Sequence, residues 1–406
     1  MSDEEILRLL PMAAAIVALH DDRSDLELAR LGAYDERDQA QVDRVLHGFL
    51  SGLLRTTWER GWTPSDLAQH GRREFDPGVE PLLTAAIAAE HRSYRDDTVD
   101  PRWLDQLIDL GIETPYTELD LTAWATGQRI GRYLALRHTL ALAGFLQSLP
   151  PLARLFPSPG TTVRRTSADR PAVPANAKML SRIRSLLAKA EATEFPEEAE
   201  ALSGKAQELM AKFALDRALV EADPAVEIPD DSAARRIWLD TPYVSAKAQL
   251  VGSVATANRC RTVMIEQLAV VTVIGADLDL QLTEILATSL LVQANRAMIA
   301  SGKHIGRYGE SRTRSFRQSF LMAYAQRIGE RLQAATEATQ AAVPAVDADR
   351  LLPVLTRREE QVEALFTKLF PNTTTKRTRI TNGAGWQAGL SAADQAQIEA
   401  RRQVRR

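Results

Sequence analysis

Cysteine is nearly missing from this chain, with one residue in 406, Cys260. A lone thiol cannot close an internal disulfide, which fits a reducing compartment. It also excludes any Cys-x-x-Cys zinc site. The thiol is expected in the core as a small side chain, because cysteine is among the most buried residue types. Long hydrophobic runs are missing as well. The apolar stretch Leu9–Leu19 falls short of the about 20 residues that cross a bilayer. Asp3, Glu4 and Glu5 precede it, where an export signal carries positive charge. It reads as the start of a buried helix, and the protein as cytoplasmic, with no membrane partner.

Lysine is absent ahead of Lys178, so every basic side chain before it is Arg or, conditionally, His. Charge of one sign is not in excess either: 50 Lys and Arg against 53 Asp and Glu leave a formal net charge of −3. The whole molecule is therefore no polyanion binder, and local patches must carry any such activity. H-E-x-x-H, G-x-S-x-G and G-x-G-x-x-G are all missing. His47, His70, His91 and His138 form no H-x-x-x-H pair, so neither metal nor cofactor is expected.

What the chain does have is a helical hairpin over Lys178–Asp216. Leu180, Ile183, Leu187 and Ala190 recur at helical steps, and so do Ala199, Leu202, Ala206, Leu209 and Phe213. Ala192–Phe195 is a break, and Pro196 suits the first position of the second helix because its missing N–H had no intrahelical partner. Glu197, Glu198 and Glu200 early, with Lys205 and Lys212 later, match the helix dipole. The run IRSLLAKAEATEFPEEAEALSGKAQELMAKF resembles the signature of a bacterial and phage family, domain of unknown function 2786. A looser likeness to the segment that accompanies it runs from about Trp238 to about Leu390. The resemblance implies an architecture but no reaction, ligand or site residue.

In chain order, residues 1–148 read as a helical domain suited to protein contacts. Its helices are expected at Glu36–Trp58, Pro64–Arg73, Val79–Tyr94, Pro101–Leu110 and Leu121–Leu149. Trp58, Trp62, Trp103 and Trp124 are expected to anchor its core. Prolines at 150, 151, 157, 159, 171 and 174 make 149–177 a stiffened linker, locally basic at Arg164, Arg165 and Arg170. The hairpin fills 178–222. An α+β domain follows over 236–340, ordered helix Val244–Asn258, strands Cys260–Ile265 and Leu268–Ile274, helix Leu278–Ala300, helix Ser315–Thr339. The second strand, nearly continuous in apolar character, suits a position covered on both faces. A linker at Ala341–Asp347 leads to a helical, basic segment over 348–406, with Lys376–Arg379 and terminal arginines 401, 402, 405 and 406. The fold class is mainly α with a small α+β domain.

One stretch suggests a site. Ser301–Arg317 gathers Lys303, His304, Arg307, Arg312, Arg314 and Arg317 against Glu310, with Tyr308 and Phe316 interleaved and glycines at 302, 306 and 309. Arg forks pair with phosphates and aromatics stack on unpaired bases, so Lys303, Arg307, Arg312, Arg314 and Arg317 are the candidate nucleic-acid or anion ligands. A solvated loop paired with nearby acids explains the same residues. Asp277 and Asp279 behind Gly275 could hold a cation beside His304 or simply cap the helix that follows. The sequence thus leaves a non-enzymatic nucleic-acid-associated adaptor against a hydrolase acting on a phosphorylated or nucleic-acid substrate between the strand pair and the basic loop. Oligomeric state is not encoded in any of these features.

Overall fold

The computed structural model describes residues 2–21, 23–31, 39–75, 78–113, 118–161, 174–192, 196–222, 230–305, 310–375 and 381–395. It divides into two compact units, Met1–Arg170 and Pro171–Arg406.

The first unit is helical: α1 (Asp3–Ala18), α2 (Ser24–Arg30), α3 (Gln39–Glu59), α4 (Pro64–Glu74), α5 (Glu80–His91), α6 (Pro101–Asp109), α7 (Leu121–Gln128) and α8 (Arg132–Ser148). A reciprocal cap starts α1: Ser2 Oγ accepts from the Glu5 N–H, and the Glu5 carboxylate accepts from the Ser2 N–H. The helix buries Ile6, Leu10, Ala13, Ala14 and Val17. It meets α8 at backbone distance, because a Cβ on Gly144 would stand 2.5 Å from the Ala14 carbonyl oxygen. Thr63 caps α4 and Pro64 opens it, as the sequence predicts.

The single helix expected over Leu121–Leu149 is two. Arg129 takes the left-handed conformation at φ 57°, and Gly131 is extended ahead of α8. Nor is 149–177 a linker from its start. The Trp62 indole N–H donates to the Pro150 carbonyl (2.8 Å), the Leu152 N–H to that of Arg60 (2.7 Å) and the Gly160 N–H to that of Thr98 (3.1 Å). Leu149 and Phe156 are buried. Proline there removes donors that the fold does not need, so the segment closes over the helices as far as Thr161. Residues 162–173, including Arg164, Arg165 and Arg170, lie outside the described ones.

Trp58, Trp62 and Trp103 are core residues as expected, the first and third meeting edge-on at 4.9 Å, while Trp124 is half-buried. Beneath them Glu90 is buried and accepts from Trp58 Nε1 (2.9 Å), Tyr94 Oη (2.6 Å) and Arg55 Nε (3.3 Å). Burial pushes the Glu90 carboxyl and the Tyr94 hydroxyl upward, and holds the His91 ring down at about 4.

The second unit opens with the hairpin, α9 (Pro174–Ala192) and α10 (Pro196–Glu221). Leu180, Ile183 and Leu187 are buried as expected. On α10 the buried line is Ala206, Met210, Ala214 and Ala218, with Leu209 and Phe213 half-buried at its edge. The face is thus turned by one residue from the expected stripe, since small alanines let α10 lie close. The side chains of Ala190, Ala199 and Leu202, and residues 193–195, lie outside the described ones.

Then come β1 (Ser232–Trp238), α11 (Val244–Ala257), β2 (Arg261–Ile265), β3 (Val270–Ala276), α12 (Asp277–Ala300), α13 (Thr313–Ala341), α14 (Ala345–Leu369) and α15 (Gly383–Gln395). The antiparallel sheet has the order β1-β3-β2, so two expected strands become three. β1 escaped because SAARRIW holds two arginines and shows no clean alternation; a boundary at 236 cuts through it. β3 is buried along its whole length, as its apolar run predicts. Val271 and Val273 join the core built with α11, α12 and α13. Against the sheet lies α14, where Arg261 pairs with Glu363 (2.8 Å) and stacks on Phe366 (4.6 Å). The linker expected at Ala341–Asp347 shrinks to the three residues between α13 and α14.

A buried ionic cluster ties α10, α14 and the approach to β1. Arg358 donates to both Glu221 oxygens at 2.6 Å, and Arg217 bridges Glu221 (3.0 Å) and Asp231 (2.7 Å). Such pairs contribute little net stability while intact, but removing one partner strands a charge. Replacing Arg358 by Met is expected to cost about 3 kcal/mol, read as a lower denaturant midpoint at unchanged slope; R358M with E221Q should recover part of it. His91 makes a second prediction. Its folded value lies below its unfolded one, so its stabilising share is complete above about pH 6.5 and is lost as pH falls towards 4, about 3 kcal/mol in all. Glu90, raised, acts oppositely, its share fading as pH rises through its own range. His91→Gln should remove the loss between pH 6.5 and 4, seen in urea melts at the two pH values.

Candidate nucleic-acid interface

The basic stretch Ser301–Arg317 divides into a pinned loop and a helix end. Gly302, at φ 79°, turns the chain out of α12, a conformation that L side chains rarely adopt. Ile305 and Ser311 bridge antiparallel, and the Arg312 N–H donates to the His304 carbonyl (2.9 Å). The His304 N–H donates to Thr313 Oγ1 (3.0 Å), and the ring lies flat on Phe316 with centroids 3.4 Å apart. Phe316 is buried, so it supports His304 and is not free to stack on a base, contrary to the expected interleaving.

Helix α13 starts at Thr313, so Arg314 and Arg317 belong to its opening turns and not to a flexible loop. Lys303, Arg312 and Arg314 are exposed, and Arg317 is half-buried. Arg312 pairs with Glu310 at 2.7 Å, as the solvated-loop reading predicts. The Arg317 Nε is enclosed without a hydrogen-bond partner among the described residues. Arg307, Tyr308 and the glycines at 306 and 309 lie outside the described residues, and so do Lys376, Arg377, Arg379 and arginines 401, 402, 405 and 406.

A feature that the sequence reading missed completes the surface. Asn382 caps α15 through its side-chain oxygen, which accepts from the Gly385 N–H (2.9 Å). The same residue holds α13: its N–H donates to Ser319 Oγ (3.1 Å) and its amide to Ser315 Oγ (3.4 Å). Further along, a Cβ on Gly385 would stand 2.3 Å from the Phe316 carbonyl oxygen, and one on Gly389 2.1 Å from that of Phe320. Arg327 then pairs with Asp394. Contacts that advance together along both helices mean that α13 and α15 run parallel, with their N-terminal ends side by side. Gly385-x-x-x-Gly389 was the signal available in the sequence. Neither helix has an acid in its first turn, so two positive dipole ends stand uncompensated beside Arg314.

The carboxylates of the alternative site are engaged. Ala276, not Asp277, occupies the N-cap of α12; Asp277 pairs with Arg235 (3.2 Å) and accepts from Gln281 (2.8 Å). Asp279 is buried against Arg259 (2.7 Å). Cys260 is buried as expected, its thiol pushed up to about 12 by burial, and no group of three potential metal ligands exists among the described residues. No helix among the described residues is long and apolar enough to cross a membrane. Residues 178–217 match the family model described as Protein of unknown function (DUF2786). No curated protein and no solved structure matches the chain.

Proposed function

We propose that residues 171–406 bind the phosphate backbone of a nucleic acid at the common N-terminal end of α13 and α15, and that the chain acts in the cytoplasm as a non-enzymatic adaptor, its first helical unit left for protein contacts. One observation carries this reading: Arg314 and Arg317 occupy the opening turns of a helix, where a cation works against the dipole. A second positive helix end lies alongside, and exposed Lys303 adds to the same sign, while Arg312 is paired with Glu310. An anion of the solvent or of a ligand relieves that repulsion, and backbone N–H groups of first turns are suited to phosphate oxygens. The net charge of −3 fits a patch of limited size, which binds several phosphates without wrapping a duplex.

The test is fluorescence anisotropy of labelled single- and double-stranded DNA and RNA, titrated at low and moderate salt. Binding should weaken steeply with salt, with a log–log slope near −0.9 per duplex phosphate neutralised or −0.7 for single strands. Replacing Arg312, Arg314 and Arg317 together by Ala should cost about tenfold or more at low salt and flatten the slope by about two to three. Arg314→Glu alone, at an exposed position, should reproduce much of the loss without lowering the melting temperature. No binding at low salt overturns the proposal.

A further inference from the structure

Large apolar side chains are scarce on the surface of the second unit. Among its described residues Val220, Ile299, Ile305 and Leu352 stand exposed, and Ile299 and Ile305 lie on either side of Lys303 in the chain. Single exposed aliphatics need no explanation, but Ile305, at 73% the most exposed of them, sits on a fixed piece of backbone. The Ile305–Ser311 bridge closes the loop, the His304 N–H donates to Thr313 Oγ1 (3.0 Å), and that hydroxyl donates back to the His304 carbonyl (3.3 Å). The His304 ring packs on buried Phe316, whereas the next side chain, Ile305, stands in solvent. Holding it there gains the fold nothing, since most of its apolar surface stays in water.

Free cations stand beside it. Lys303 lies two residues back, and Arg314 follows Thr313, the residue to which His304 is bonded. Both are exposed, and neither has an ion pair or hydrogen bond among the described residues. Arg312, by contrast, is taken up by Glu310 at 2.7 Å. The surface thus offers a ligand two free positive charges and one outward aliphatic side chain. A nucleic acid with unstacked bases has the matching pattern, a phosphate on the backbone and an apolar base face next to it. In a continuous duplex those faces are covered by neighbouring base pairs, and an aliphatic wedge reaches them only after unstacking a step.

We propose that Ile305 is the base-contacting residue of this surface, and that the ligand is therefore a single-stranded or otherwise unstacked stretch of nucleic acid, not a polyanion in general. This rests on the phosphate-binding reading above and names its ligand class. Lys303 and Arg314 take phosphate oxygens, and Ile305 lies against the face of an adjoining base. Phe316 cannot do so, because its ring is held between His304 and the core. An aliphatic contact carries no hydrogen-bond code, so it favours open bases over stacked ones without choosing among sequences. The phosphate contacts set the salt dependence, and the Ile305 contact adds affinity that salt does not screen.

Two labelled single strands with the same number of phosphates provide the probe, one of natural nucleotides and one built from abasic units. Titrated at low salt against the full chain, the natural strand should bind about tenfold more tightly than the abasic one. Ile305→Ser should weaken the natural strand about fivefold, and leave its salt slope and the affinity for the abasic strand unchanged. Ile305 and Leu352 are both exposed, so Ile305→Ser and the control Leu352→Ser should keep the melting temperature, and the control should bind both strands like the wild type. Equal affinity for the two strands overturns the assignment of Ile305 while the phosphate reading stands. So does an Ile305→Ser variant that binds the natural strand like the wild type. Absence of binding to either strand overturns both readings. Binding to phosphatidylserine vesicles that weakens with Ile305→Ser, alongside equal affinity for the two strands, would mean that the apolar contact serves a lipid surface, and overturns the base contact as well.

Discussion

The close seating of α15 on α13 is the constraint on which the candidate surface depends. Two glycines one turn apart let backbone meet backbone, since a Cβ at either position would fall about 2 Å from a carbonyl oxygen of α13. Approach at that distance fixes both the angle and the register of the pair. With register fixed, Asn382 reaches Ser315 and Ser319, and the two helix starts are held level. The charge pattern then follows from geometry: two dipole ends of the same sign, no acid in the first turn of either helix, and arginines where a stability-driven sequence would place Asp or Glu. A local conflict of this kind is the sort that folded proteins retain at working surfaces.

Elsewhere in the second unit, charge is handled conservatively. Asp279 is matched by Arg259, Glu221 by Arg358 and Arg217, and Asp277 by Arg235. Asp279, Glu221 and Arg358 are buried, where an unmatched charge is costly, whereas Asp277 and Arg235 are partly exposed. The pairs engage Asp277 and Asp279, the carboxylates of the alternative site, and burial pushes the Cys260 thiol up. The charges at the start of α13, by contrast, are mostly exposed.

Much of the fold was legible in the sequence, because strong local signals agreed with tertiary structure. The hairpin helices announced themselves through three- and four-residue apolar steps, and Pro196 marked the start of α10. β3 was readable from its unbroken apolar run. β1 was not, since an edge strand with Arg235 and Arg236 needs only part of one face apolar. The break at Arg129 was hidden for a different reason: a left-handed arginine carries no compositional mark. The basic residues of the candidate surface were visible as composition, whereas their division between a pinned loop and a helix end was not. Gly385 and Gly389 weaken an isolated helix, and the packing of α15 on α13 gives them a purpose.

The most direct measurement compares Gly389→Ala with Gly383→Ala, which meets nothing within 4 Å, for both melting temperature and affinity for a labelled single-stranded 20-mer at low salt. Overpacking of this kind costs about 1–3 kcal/mol. The account predicts that Gly389→Ala lowers the melting temperature and, while still folded, binds several-fold more weakly because α15 is pushed off α13. Gly383→Ala should match the wild type in both. A folded Gly389→Ala variant that binds as tightly as the wild type would contradict the claim that this helix pair builds the surface.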